Sequence, residues 1–185
     1  ISLILDGRLE TVVELLATFP AEAAAEDAEL AIVLAVARMF AGRPDETEAY
    51  IEVAERLADT VPQGRRRRYD LRVASTKLWL ARRTVDLATA LEAKREVEAA
   101  LAAESASDIT RAADHRAAAM MNIGITELWS LRASEARRHL EEALSLAHQA
   151  ERPYLEISCL AHLGIAGPDA GGSVLDGAQY AEQAI

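Results

Sequence analysis

One short turn recurs along this chain, and it limits the possible folds more than any other feature. It reads Asp6-Gly7-Arg8-Leu9-Glu10, then Gly42-Arg43-Pro44-Asp45-Glu46, then Val85-Asp86-Leu87, then Leu131-Arg132-Ala133-Ser134-Glu135. A small or medium residue comes after each turn at a fixed offset: Val12, Thr47, Ala90 and Ala136. The starts at 7, 42, 85 and 131 lie 35 to 46 residues apart, the period of stacked helical hairpins. A degenerate fifth turn lies near Ala170-Gly171-Gly172.

The stretches between turns have helical spacing. Leu30, Val33, Leu34, Ala37 and Phe40 form one apolar stripe, and Leu87, Leu91, Val97 and Leu101 another, with Glu92 and Arg95 on a wetter side. Pro20, Pro44, Pro62, Pro153 and Pro168 all fall between such runs, where a missing N–H does no harm. Helices are predicted at 8–18, 26–41, 44–59, 64–83, 86–104, 110–130, 133–150, 153–166 and 173–185. The chain is half hydrophobic yet only 4% aromatic, and it is rich in Ala, the best helix former. The expected fold is all-α: a TPR-like α-solenoid of about four antiparallel helical hairpins in a right-handed superhelix, one domain over residues 1–185.

The clearest unit runs from His115 to Pro153. Gly124 lies inside its first helix, where glycine costs about 1 kcal/mol relative to Ala. A glycine kept there implies that a partner helix fills the missing side chain's space, with Ala136 opposite and Met120 and Leu140 around the contact.

Charge and motifs exclude several functions. A net charge of −10 repels DNA and anionic membranes, so no direct nucleic-acid contact and no membrane partner are expected. The single Cys159 allows no internal disulfide, no signal peptide is legible, and a cytoplasmic location is expected. His115, His139, His148 and His162 have no metal-ligand spacing, and Cys159 has no CxxC partner. Glu135 with His139, and Arg138 with Glu142, are spaced as i,i+4 pairs. No catalytic residue, metal site or cofactor is assigned, and an enzyme is not expected. The Arg65–Arg68 run is either a solvated helix start, offset by Asp59 and Asp70, or a site for phosphate or an acidic partner.

Three phrases point to a family: Asn122-Ile123-Gly124-Ile125-Thr126-Glu127-Leu128-Trp129, then Glu135-Ala136-Arg137-Arg138-His139-Leu140-Glu141-Glu142-Ala143-Leu144, then Arg152-Pro153-Tyr154-Leu155-Glu156-Ile157. Together with Arg65-Arg66-Arg67-Arg68-Tyr69-Asp70 and Leu78-Trp79-Leu80-Ala81-Arg82-Arg83, they resemble the helical-repeat region of MalT-like, LuxR-family transcriptional regulators. The resemblance spans about Asp6 to Gly167. It implies a sensor segment that binds a small effector or a regulatory protein and signals to ATPase and DNA-binding modules. Neither a Gly-x-x-x-x-Gly-Lys-Ser/Thr loop nor a recognition-helix module is present in these residues. The other reading is a general TPR scaffold unrelated to transcription.

In TPR-like geometry the first helix of each hairpin lines the concave face. That assigns Val36, Met39, Phe40, Ser75, Trp79, Arg82, Arg83, Met121, Ile125 and Trp129 to a candidate partner-binding set, with Leu128 beside them. Either tryptophan could instead be a core plug between hairpins. The chain opens on Ile1-Ser2-Leu3 and ends on Gln183-Ala184-Ile185 without a polar cap, so it reads as an internal fragment of a larger regulator. Cut apolar ends would be covered by a second copy, giving a homodimer.

Overall fold

A computed structural model of the chain describes residues 8–20, 22–103 and 113–166. Among these, eight α-helices and two short 3₁₀ turns form, and no strand. The helices are α1 Leu9–Leu16, α2 Ala28–Phe40, α3 Pro44–Arg56, α4 Gln63–Arg83, α5 Leu87–Ala102, α6 Ala113–Trp129, α7 Ala133–Gln149 and α8 Pro153–Ala166. They match the predicted positions to within a few residues. The helix expected at 173–185 and the turn near Gly171 lie outside the described residues. The chain divides into two compact units, Ile1–Glu104 and Ser105–Ile185.

In the first unit α2 pairs with α3 and α4 with α5; in the second α6 pairs with α7, and α7 also packs on α8. The connections explain why. Gly42, Val85 and Leu131 have φ of 74°, 59° and 56°, so the chain reverses through one left-handed residue. The next amide then closes the preceding helix: Arg43 N to Arg38 O at 3.0 Å, Asp86 N to Ala81 O at 3.1 Å, Arg132 N to Glu127 O at 2.9 Å. The link from α7 to α8 closes the same way, through Glu151 at φ 54° and Arg152 N to Ala147 O at 3.0 Å.

The residues after each hairpin turn repeat with equal regularity. Five residues on, Thr47, Ala90 and Ala136 are each 0% exposed. Nine on come Ile51, Lys94 and Leu140, and twelve on Ala54, Val97 and Ala143, none more than 8% exposed. This stripe presses the second helix of each hairpin onto the first. The new helices start well: Pro44 and Pro153 occupy first-turn positions, where no N–H is needed. The Asp86 carboxylate accepts from Thr89 N at 3.1 Å, capping α5. A bond from the Thr89 hydroxyl and this backbone bond hold its pKa below the ordinary range.

Alanine carries more of the packing than hydrophobic spacing predicts. On α2 the deeply buried residues are Ala28, Ala31, Ile32, Ala35, Val36, Ala37 and Met39, whereas Leu30, Val33, Leu34 and Phe40 are half-buried. On α5, Leu87 is exposed and Leu91 half-buried, while Ala90, Ala93 and the stem of Lys94 are enclosed. Helices approach closely through small side chains, so the larger leucines move to the flanks. At Gly124 the approach is closest. An added Cβ would lie 2.7 Å from Leu140 Cγ and 3.1 Å from Ala136 O. The contact expected from Gly124 and Ala136 is therefore present, with Leu140 at its centre rather than its edge.

Candidate functional site

The candidate residues fall into both units. In the first, Phe40 and Trp79 meet edge to face, ring centroids 4.4 Å apart at 71°. They pack against Val12, Val36, Ala37 and Leu16, where α1, α2 and α4 converge. Val36 and Met39 are buried, and Phe40, Ser75 and Trp79 half-buried. Arg82 is buried and Arg83 exposed. Trp79 thus joins two successive hairpins and keeps part of its surface open.

In the second unit Met121 and Ile125 are buried, and every α6 residue from Ala119 to Glu127 is enclosed. The polar members of that run bond along the helix: Asn122 Nδ2 donates to Ala118 O at 2.8 Å and Thr126 Oγ1 to Asn122 O at 2.8 Å. After Glu127 the surface opens again: Leu128 is half-buried and Trp129 is 45% exposed. Of the candidate set, Arg83 and Trp129 are therefore the exposed members.

The basic run is engaged within the protein. Arg65 pairs with Glu29 at 2.6 Å. Arg66 donates to Asp70 at 2.8 Å, to Ala58 O at 2.8 Å and to Asp59 at 3.2 Å. The offset expected from Asp59 and Asp70 is present, and it fixes Arg66 at the edge of a cleft.

That cleft lies in the first unit. Its volume is about 280 Å³, and it lies between α3 and α5 with α4 as the floor. Arg66, Tyr69, Asp70, Val73 and Ala74 come from one face of α4, Glu55 and Ala58 from α3 and the turn after it, and Glu96 and Ala100 from α5. Tyr69 is 3% exposed and its hydroxyl donates to Ala54 O at 2.6 Å. Burial pushes its pKa up to about 12. Lys77 bridges the two walls, 3.0 Å from Glu55 and 2.8 Å from Glu96. Burial opposes its charge, but hydrogen bonds to Glu96 and Glu55 outweigh that, and its pKa is raised.

Sequence reasoning missed this site. Asp70, Val73, Ala74 and Lys77 share a helical stripe that spacing alone reveals. The facing acids Glu55 and Glu96 lie far apart in sequence and meet Lys77 only through tertiary packing.

The second missed feature is a buried polar pair. Glu127 and His139 are 3% and 7% exposed, and Glu127 Oε2 lies 2.6 Å from His139 Nδ1. Arg138 Nη2 lies 3.0 Å from His139 Nε2. A guanidinium only donates, so Nε2 accepts and the imidazole proton sits on Nδ1, donating to Glu127. The expected helical pairs are replaced: His139 bonds Glu127 rather than Glu135, and Glu142 pairs with Arg116 at 3.2 Å rather than with Arg138. The other histidines take separate partners: His115 with Asp114, His148 with Glu156 and His162 with Ser158 O. Cys159 is buried, which pushes its thiol up to about 12. Among the described residues no group of three or more His, Cys, Asp or Glu could hold a metal ion. Nor is any helix there long and apolar enough to cross a membrane.

Comparison with protein-family models, with curated proteins and with solved structures finds no match for this chain.

Proposed function

We propose that this chain is a recognition segment built as a TPR-like α-solenoid. In this reading it belongs to a MalT-like regulator of the LuxR family, binds a small effector or a regulatory protein, and relays its state to ATPase and DNA-binding modules. The relay requires the ligand to bind one arrangement of the helices better than another. The role assigned is recognition, with no catalytic step.

The observation that supports this reading is the recurrence of one hairpin geometry. Three turns reverse through a single left-handed residue, and each leads five residues later to a fully buried small side chain at Thr47, Ala90 and Ala136. Tandem hairpins of one design form extended binding surfaces, and their chemistry resides in what they hold. The phrases from Asn122 to Trp129 and from Glu135 to Leu144 connect the reading to the regulators.

The coding sequence on either side of the segment tests it. An upstream nucleotide-binding loop and a downstream helix-turn-helix are expected. If both are missing, the regulator reading falls and a general docking scaffold takes its place. A direct measurement complements this. Trp129→Ala and Arg83→Ala should weaken capture of the partner while leaving the urea midpoint of the segment unchanged.

A further inference from the structure

The cleft between α3, α4 and α5 has a lining that selects a ligand class. Three of its side chains are carboxylates, Glu55, Asp70 and Glu96, and one, Arg66, is a guanidinium. Even with Lys77 included the lining keeps a surplus of negative charge, and Asp59, which shares Arg66, adds to it at the rim. The internal cations do not use all the carboxylate oxygens. Glu96 gives both of its oxygens to Lys77. Glu55 gives Oε1 to Lys77, and Asp70 gives Oδ1 to Arg66. Glu55 Oε2 and Asp70 Oδ2 accept nothing from the described residues, so each can take a hydrogen bond from a ligand. The rest of the lining includes Ala58, Val73, Ala74 and Ala100, whose short side chains leave space in the cleft.

We propose that this cleft binds a small organic monocation, a primary amine carrying a short apolar group. The ammonium satisfies the surplus charge and donates to the open oxygens of Glu55 and Asp70, and its apolar part lies on Val73, Ala74 and Ala100. Hydrogen-bond acceptors without a cage of aromatic faces favour an N–H donor over a quaternary ammonium. A divalent metal is a poorer fit, since Ca²⁺ takes six to eight oxygens and Mg²⁺ a near-ideal octahedron. The volume suits a ligand below drug size. Lys77 ties the two walls together through Glu55 and Glu96.

This names a ligand class for the effector-binding part of the function proposed above and rests on that part alone. Titration calorimetry of the 185-residue chain with hexylamine, hexanol, hexanoate and tetramethylammonium tests it. Hexylamine should bind and the other three should not. Amide chemical shifts of the wild-type protein should move at Val73, Ala74 and Ala100. Glu55→Gln should weaken hexylamine by about tenfold, the usual size of one charge-assisted hydrogen bond. Ala100→Leu should block it by filling the space, with helicity by circular dichroism unchanged. The proposal is overturned if hexylamine binds no better than hexanol, if hexanoate binds instead, or if the shifts map elsewhere. Those wild-type results stand even if a variant fails to fold. Amine binding without flanking regulator modules would remove the family and keep the site; flanking modules without amine binding would do the reverse.

Discussion

Gly124 combines a local cost with a packing gain. Alanine there would gain about 1 kcal/mol in helix propensity. Its Cβ would, however, lie 2.7 Å from Leu140 Cγ, a branch carbon in a fully buried side chain, and 3.1 Å from a backbone oxygen. Overpacking of this kind costs about 1–3 kcal/mol. Gly124→Ala is therefore expected to lower the urea midpoint, and the loss should shrink when measured in a Leu140→Ala background, giving a positive coupling in a double-mutant cycle. This contact is legible in the sequence, because a glycine inside an otherwise strong helix needs a reason. The buried Glu127–His139 pair is not. The helical i,i+4 rule offers Glu135, eight residues from Glu127 and on the same helix as His139, and only the hairpin fold brings Glu127 into reach. Removing His139 alone should cost about 1–3 kcal/mol, because the buried Glu127 carboxylate loses one of its hydrogen bonds. Replacing both residues with leucine should cost far less than that, since an apolar pair needs no solvation. Equal losses in the single and double variants would contradict this.

At the level of elements, the hairpin turns all use one backbone shape with different residues. Gly42 adopts positive φ freely, whereas Val85 and Leu131 do so against their side chains. A left-handed L-residue costs about 1–2 kcal/mol, and a β-branched one is the worse case. Val85 is 78% exposed, so its side chain returns little by packing. Val85→Gly should therefore raise stability by up to about 1 kcal/mol, after the extra chain entropy of glycine is subtracted. Thermal unfolding of the variant beside wild type reads this directly, and a fall in Tm would show that the valine contributes more than its exposure indicates. The turns are legible from sequence because spacing and first-turn residues repeat. The sign of φ at Val85 and Leu131 is hidden, since the fold imposes it from outside the local sequence. The deeply buried alanines of α2 are hidden for the opposite reason: hydrophobic spacing gives most weight to leucine, and close helix contact requires small residues.

For the whole molecule, the periodic repeats make the all-α architecture legible, while the cleft depends on residues that meet only after three helices pack. That packing has a pH signature. Tyr69 has a folded-state pKa of about 12, above its ordinary 10.0, because burial disfavours the phenolate. A raised pKa contributes stability that is complete below about pH 10 and is lost as pH rises toward 12. The urea midpoint should fall across that window in wild type, and the Tyr69→Phe variant should show a flatter alkaline limb from a lower starting value. An unchanged slope in the variant would mean that another group sets the alkaline limit.

The chain's single thiol gives the second unit a built-in reporter. Cys159 sits fully enclosed on α8, so a thiol-reactive dye can reach it only when that helix lifts or the unit opens. The labelling rate, divided by the rate for the same chain in denaturant, then measures the opening equilibrium without any engineered probe. Gly124→Ala should speed labelling if α6, α7 and α8 open together. If labelling is unchanged while the urea midpoint falls, α8 detaches by itself.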